Sequence, residues 1–283
     1  MRREGPYDRR IAQDGSRSAS LINRCNLPPW LIGSEEFQAN PSPIEVDGVQ
    51  ITESWLFNRL AQIADPDERG RVFHDYICVK FGLQELEEFP PVKKNKSALS
   101  YVHFLHSWGA DSNGYAGAVL KAWVESRFGL LATYHGGRLA QDPSCREAYM
   151  LARMRGAART IGIFMQFDLL YTFCQFELLL RFAGERWKTL YRGTHDPEEY
   201  TVHSKAAQSE SRFDHIALMQ LNNLSSITSD REVAWEFGST AWEVEIPIPK
   251  IVFFSGLLPK SLLTGESEYL VLGGYYKVRT LLY

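Results

Sequence analysis

Several familiar nucleotide and metal signatures are missing from this chain. No GxGxxG stands between a strand-like and a helix-like run, and neither GxxxxGK[ST] nor HExxH occurs. The nearest glycine cluster, Gly109, Gly114 and Gly117, has the wrong spacing for a phosphate cradle. These gaps exclude the Rossmann and P-loop routes to nucleotide binding and the zincin route to hydrolysis. Cysteine is sparse: Cys25, Cys78, Cys145 and Cys174 are scattered, without CxxC or CxxH spacing. Zinc-finger and dithiol redox chemistry are therefore excluded, and the thiols are expected to be reduced in a cytoplasmic protein. His103 and His106 lie three apart on an expected helix, but no carboxylate or cysteine completes a ligand set, so no metal is expected. There is no basic excess: net charge is -3 and the pI about 6.2, which gives no reason to expect nucleic acid or an anionic membrane as partner. The opening MRREGPYDRR has charges with no apolar run behind them, so no secretory signal is expected.

Long apolar runs are also scarce. The most apolar stretch, residues 161–180, is interrupted by Gln166, Asp168, Gln175 and Glu177. Phe167, Leu170, Tyr171, Cys174, Leu178 and Phe182 recur at helical spacing, which predicts a long core helix and no membrane span.

What is present is an ordinary globular balance, 45% hydrophobic and 23% charged over 283 residues. That length suits one large domain or two modest ones. Residues 1–24 are polar and predict a disordered tail. Pro28, Pro29, Pro41 and Pro43 then punctuate an irregular lead-in. From Thr52, a candidate N-cap, to about Gly184 the patterns are helical, with FPPVKKNK (residues 89–96) as the clearest loop. After Trp187 the segments TLYRGT, LSSIT, AWEVEIPI, KIVFF, EYLVLGG and YYKVRTLLY are short and β-rich. In AWEVEIPI the residues Trp242, Val244, Ile246 and Ile248 alternate with charge. Pro247 and Pro249 push that segment toward a sheet edge or strand end. The fold class is α+β: a mainly helical region over 25–185, followed by a β-rich region over 186–283.

Three features of that β-rich region could carry chemistry. Arg192 is followed by Gly193 in a short apolar strand, a pairing that suits a phosphate clamp or an ordinary strand-end arginine. Ser226 and Thr228 share one face of the next strand without an evident structural task, whereas Ser229 and Glu232 form a capping box. Glu266 and Glu268 lie two apart, so in an extended chain they place two negative charges on one side. A carboxylate can stabilise the oxocarbenium-like centre of a breaking glycosidic bond. A general-acid and nucleophile pair would flank that bond from opposite sides, which neighbours on one strand suit poorly.

The order Arg192, Ser226-Ile227-Thr228, Glu266-Ser267-Glu268 resembles the R-S-E class of mono-ADP-ribosyltransferases, with LSSITSDREVAWEF similar to that class's STS strand and following helix. Thr228 stands where the pattern has its second serine, and Ile227 where it has threonine. Nearly the whole chain from about Asn26 is similar to the branch of that class that acts on dinitrogenase reductase. The resemblance implies an ADP-ribosyltransferase fold with two small sheets around an NAD cleft, and the helical region packed on it. It implies that Arg192 holds the NAD phosphates, Gly193 lends backbone contacts to nicotinamide, and Ser226 positions the catalytic Glu268. Glu266 would receive the target arginine, and the loop Gly256–Gly265 would face the protein target with its leucines. The implied target is dinitrogenase reductase, the iron protein of nitrogenase, and the implied regulator is a PII signal-transduction protein. An NAD glycohydrolase or a non-catalytic NAD-binding protein would carry much the same pattern.

Overall fold

The computed structural model describes residues 22–83, 100–158, 162–194, 201–205, 216–259 and 268–281. Most of the expected tail, the FPPVKKNK loop and Glu266 lie outside the described residues. Arg24, assigned to the tail by composition, is tied down: its N–H donates to the Arg127 carbonyl and its own carbonyl accepts from Asp47 N.

The lead-in is more regular than its prolines suggest. It holds short helices α1 (Pro29–Ile32) and α2 (Glu35–Ala39), the first accommodating Pro29 at its opening turn. Helices α3 (Val49–Thr52) and α4 (Ser54–Leu60) follow. Thr52 is thus the last residue of a helix rather than an N-cap; its hydroxyl donates back to the Gly48 carbonyl at 2.9 Å. Helix α5 (Pro66–Phe81) starts and stops as its sequence dictates. Asp65 accepts from Asp67 N and Glu68 N, Pro66 opens the first turn, and Gly82 closes it in the left-handed region. Helices α6 (Tyr101–Ala110), α7 (Tyr115–Phe128), α8 (Pro143–Ala158) and α9 (Ile163–Arg181) follow among the described residues.

Helix α9 is the central beam. Among the described residues it is the one helix long and apolar enough to cross a membrane, and 67% of its most apolar window is buried inside the fold. Phe173 stacks on Phe73 of α5 with ring centroids 4.0 Å apart. The polar interruptions of its sequence are all satisfied. Asp168 accepts from Trp123 Nε1 at 2.7 Å and pairs with Arg127, while Glu177 pairs with Arg69 and Arg181. Gln175 Nε2 donates to the Ile251 carbonyl at 2.6 Å, which ties the helix to the sheet.

Six strands form one antiparallel sheet: β1 (Trp187–Thr194), β2 (Thr201–Lys205), β3 (Ile216–Thr228), β4 (Thr240–Pro247), β5 (Ile251–Phe254) and β6 (Glu268–Leu281), in the order β2-β3-β1-β4-β6-β5. EYLVLGG and YYKVRTL, expected in separate segments, are one 14-residue strand. Strand β6 pairs with β3 along one edge and with β4 and β5 along the other, and the single pair Tyr191↔Thr228 joins β1 to β3. The pairings β3–β1, β1–β4, β4–β6 and β6–β3 therefore close a circuit within the sheet. Strand β4 lies inside the sheet, so Pro247 marks a strand end and not an edge. A bulge at Leu221/Leu224 in β3 faces Gly273 and Gly274. Gly274 has φ +120°, and an added Cβ would sit 2.6 Å from the Gly33 carbonyl oxygen, so α1 docks directly on the sheet backbone.

Helices and sheet share one continuous core, from Leu56 and Phe73 through Trp123 and Phe173 to Leu190, Val271 and Tyr276. Gln38 of α2 fastens two strands at once, donating to the carbonyls of Glu245 and Lys277 and accepting from Lys277 N. Lys250, in the 3₁₀ turn Ile248–Lys250 between β4 and β5, is wholly buried. Its Nζ finds no hydrogen-bond acceptor among the described residues and lies 4.3 Å from the Tyr276 ring centroid and 5.7 Å from that of Phe37. Burial lowers its pKa to about 7.

Candidate active site

The site forms where β1, β3 and β6 meet. Thr228 is the direct cross-strand neighbour of Glu268, and Ser226 is that of Leu270. Ser226 is thus diagonal to Glu268 on the same sheet face, within reach of a side chain as long as glutamate. The contact is made: Ser226 Oγ donates to Glu268 Oε1 at 2.7 Å. From the adjoining strand, Arg192 Nη1 donates to the Ser226 carbonyl at 2.7 Å. The arginine, the serine and the glutamate expected from the sequence are therefore brought together, although they span 77 positions, from 192 to 268.

Two neighbours have tasks that differ from expectation. Thr228 is buried, and its Oγ1 accepts from Asp230 N at 3.0 Å, closing the turn after β3. It therefore does have a structural role, contrary to the sequence reading. The cap of the following helix α10 (Arg231–Glu236) is Asp230, which accepts from Glu232 N and Val233 N, and not Ser229. A carboxylate one residue on can reach both amides, which a hydroxyl at 229 would not. Gly193 is required by packing: an added Cβ would meet the Ala234 carbonyl oxygen of α10 at 1.7 Å.

At the base of the loop before β6, Ser255 N donates to the Glu268 carbonyl at 2.8 Å, so the last residue pair of that hairpin is closed at the glutamate itself. Leu257 and Leu258, expected to face a protein partner, are buried, 1% and 3% exposed. They pack beside Gly70 of α5, where an added Cβ would lie tight against the Pro259 ring at 3.0 Å and the Leu257 carbonyl at 3.2 Å. Leu262, Leu263 and Glu266 lie outside the described residues.

The helical region contributes a group that sequence spacing did not mark. Trp108 of α6, buried, donates its indole Nε1–H to Ser226 Oγ at 2.8 Å. No periodicity ties that tryptophan to a serine 118 residues away. The docking that brings them together runs through Asn222 and Asn223 at the β3 bulge. Asn222 Oδ1 accepts from Thr133 N, and Asn223 Nδ2 donates to the carbonyls of Lys121 and Leu130.

Among the described residues no group of three or more His, Cys, Asp and Glu side chains could hold a metal ion. His103 instead shares a hydrogen bond with the Tyr115 hydroxyl, and burial lowers its pKa. A cleft of about 680 Å³, lined by Ser42, Phe57, Gln175, Phe176, Phe182 and Pro249 among others, shares no residue with the Arg192–Ser226–Glu268 cluster.

A carboxylate held by a serine can offer a fixed negative charge to a developing cation, and an arginine on the adjoining strand is a group that can bind an anion beside it. These residues, on a mixed α+β fold, have the composition of an NAD-dependent ADP-ribosyltransferase. The chain belongs to the dinitrogenase reductase ADP-ribosyltransferase (DRAT) family, whose sequence profile matches residues 22–280. It is 38% identical over 276 residues to the NAD(+)--dinitrogen-reductase ADP-D-ribosyltransferase of Rhodospirillum rubrum, covering 95% of this chain and 98% of that protein. No solved structure matches the chain.

Proposed function

We propose that the chain transfers ADP-ribose from NAD to an arginine of dinitrogenase reductase in the cytoplasm, switching off nitrogen fixation. The observation that carries the assignment of roles is the Ser226–Glu268 hydrogen bond beside Arg192. Arg192 presents a planar fork of donors suited to the NAD phosphates. Gly193, next in the chain, is assigned the backbone contacts to the nicotinamide amide. Glu268 is the anchored charge that faces the ribose as the bond from its C1 to nicotinamide breaks and the electron pair leaves with nicotinamide. No general acid is needed, because that leaving group is already cationic in the substrate.

The incoming guanidinium is protonated and a poor nucleophile. Glu266, two residues before Glu268, is placed by sequence to bind it and take its proton as the new C–N bond forms. The helical region of 25–185 and the loop before Glu268 supply the surface for the target protein, and a PII signal-transduction protein is the proposed regulator.

Glu268→Gln and Glu266→Gln test this. With NAD alone and with the target, free nicotinamide and labelled dinitrogenase reductase are measured side by side. Glu268→Gln should lose both reactions, by on the order of 100-fold or more. Glu266→Gln should keep NAD cleavage by water and lose transfer to arginine. Equal loss of both reactions in Glu266→Gln would show that the two carboxylates serve one step. Full transfer in Glu268→Gln would place the catalytic group elsewhere, and NAD cleavage without transfer in the unaltered protein would make it a glycohydrolase.

A further inference from the structure

We infer that Trp108 is a positioning residue for the catalytic carboxylate: its indole N–H fixes the direction of the Ser226 hydroxyl, and through it the rotamer of Glu268. This rests on the assignment of Glu268 above. The argument starts from the hydrogen-bonding capacity of the three groups. An indole nitrogen can only donate, an ionised carboxylate can only accept, and a hydroxyl has one proton and two lone pairs. With Trp108 Nε1 at 2.8 Å and Glu268 Oε1 at 2.7 Å from the same Ser226 Oγ, a single pattern is allowed. The indole proton occupies a serine lone pair, and the serine proton goes to the glutamate. Without the indole, the hydroxyl could rotate to other acceptors or donate to water, and Glu268 would lose its fixed donor for part of the time.

The donor itself is held. Trp108 is 4% exposed in α6, and the Lys121 ammonium of α7 lies 5.7 Å from its ring centroid. Lys121 is in turn fixed by Asn113 Oδ1 at 3.3 Å, the Tyr134 carbonyl at 3.0 Å and His135 Nδ1 at 3.4 Å. Burial and the Lys121 charge push the pKa of His135 down to about 4, so its ring is neutral and able to accept. A cation over the indole face draws electron density toward itself and makes the N–H a stronger donor. The helical region thus reaches into the chemistry and does more than cover the sheet.

A buried tryptophan also needs a partner for its N–H simply to be stable, so the test must separate the two roles. Trp108→Phe keeps an aromatic ring and removes the donor. Steady-state nicotinamide release should show kcat down about tenfold with KM for NAD within about twofold, because the phosphate contacts are untouched. The double variant Trp108→Phe/Ser226→Ala should be no slower than Ser226→Ala alone, since the indole acts only through that hydroxyl. Should Trp108→Phe not fold, 3-benzothienylalanine at position 108 keeps the two-ring shape with sulfur in place of N–H, and the same kcat loss is expected. Unchanged kcat in either variant, or multiplicative losses in the double variant, would overturn the inference. Glu268→Gln is run in parallel. If it cleaves NAD normally, the reading of Glu268 fails; if it is inactive while Trp108→Phe is unimpaired, only the role of Trp108 fails.

Discussion

Replacing Lys250 by methionine should remove a pH dependence that is built into the core. The amine is wholly buried between the Tyr276 and Phe37 rings, and burial takes its pKa from 10.5 to about 7. In the unfolded chain it stays protonated up to pH 10.5, whereas in the fold it gives up its proton near pH 7. Between those values the unfolded state binds more protons, so stability rises with pH through this window and is flat on either side. At about 1.4 kcal/mol per pH unit the ceiling of that rise is roughly 5 kcal/mol. Attraction of the ammonium to two ring faces opposes it by about 1–2 kcal/mol, which leaves roughly 3–4 kcal/mol. Methionine is similar in volume and carries no proton, so Lys250→Met should be the more stable protein at pH 6–7 and lose that advantage by pH 10. Urea denaturation followed by tryptophan fluorescence, at four pH values from about 7 to 10, reads the difference directly. A difference between the two proteins that stays constant across the window would refute the reasoning, because it would mean that the amine keeps its charge in the core.

Two further outcomes concern the site. Arg192→Lys keeps the charge but loses the planar fork and the bond to the Ser226 carbonyl; KM for NAD should rise about tenfold while the melting temperature moves by only a few degrees, and an equal loss of both would assign the arginine a structural role. Gly193→Ala forces α10 away from β1, because its Cβ falls on the Ala234 carbonyl; calorimetry should show a lower melting temperature alongside weaker NAD binding, and a variant as stable as the parent would show that the helix yields freely.

The signals legible in the sequence were those that act locally. The Asp65-Pro66 start and Gly82 stop of α5 follow from capping and backbone preference within a few residues. The order of Arg192, Ser226 and Glu268 was legible because each sits in a short segment with its own pattern. Where the reading went astray, a neighbour distant in sequence or a competing local bond had decided the matter. Nothing in the sequence marks a task for Thr228, whereas in the fold its oxygen accepts from Asp230 N. Leu257 and Leu258 looked exposed because nothing nearby hides them; α5, almost two hundred positions earlier, does. EYLVLGG and YYKVRTLLY looked separate because a glycine pair reads as a turn, yet Gly273 and Gly274 pass through the strand opposite a bulge. Trp108 carried no signal at all, since its partner is defined only by the docking of two regions.

The bond from Ser255 N to the Glu268 carbonyl gives the hairpin before β6 a closed neck. On the far side of that neck, up to Pro259, the chain belongs to the core and is as constrained as any buried segment. The carboxylate at 268 is held from β3, by Ser226, and its backbone from Ser255, both outside residues 260–267. On the proposed roles, a lineage of such enzymes could acquire new protein targets by substitution in the seven positions of 260–267 other than Glu266 while inheriting the same reaction, and an engineer could attempt the same exchange by grafting those positions alone.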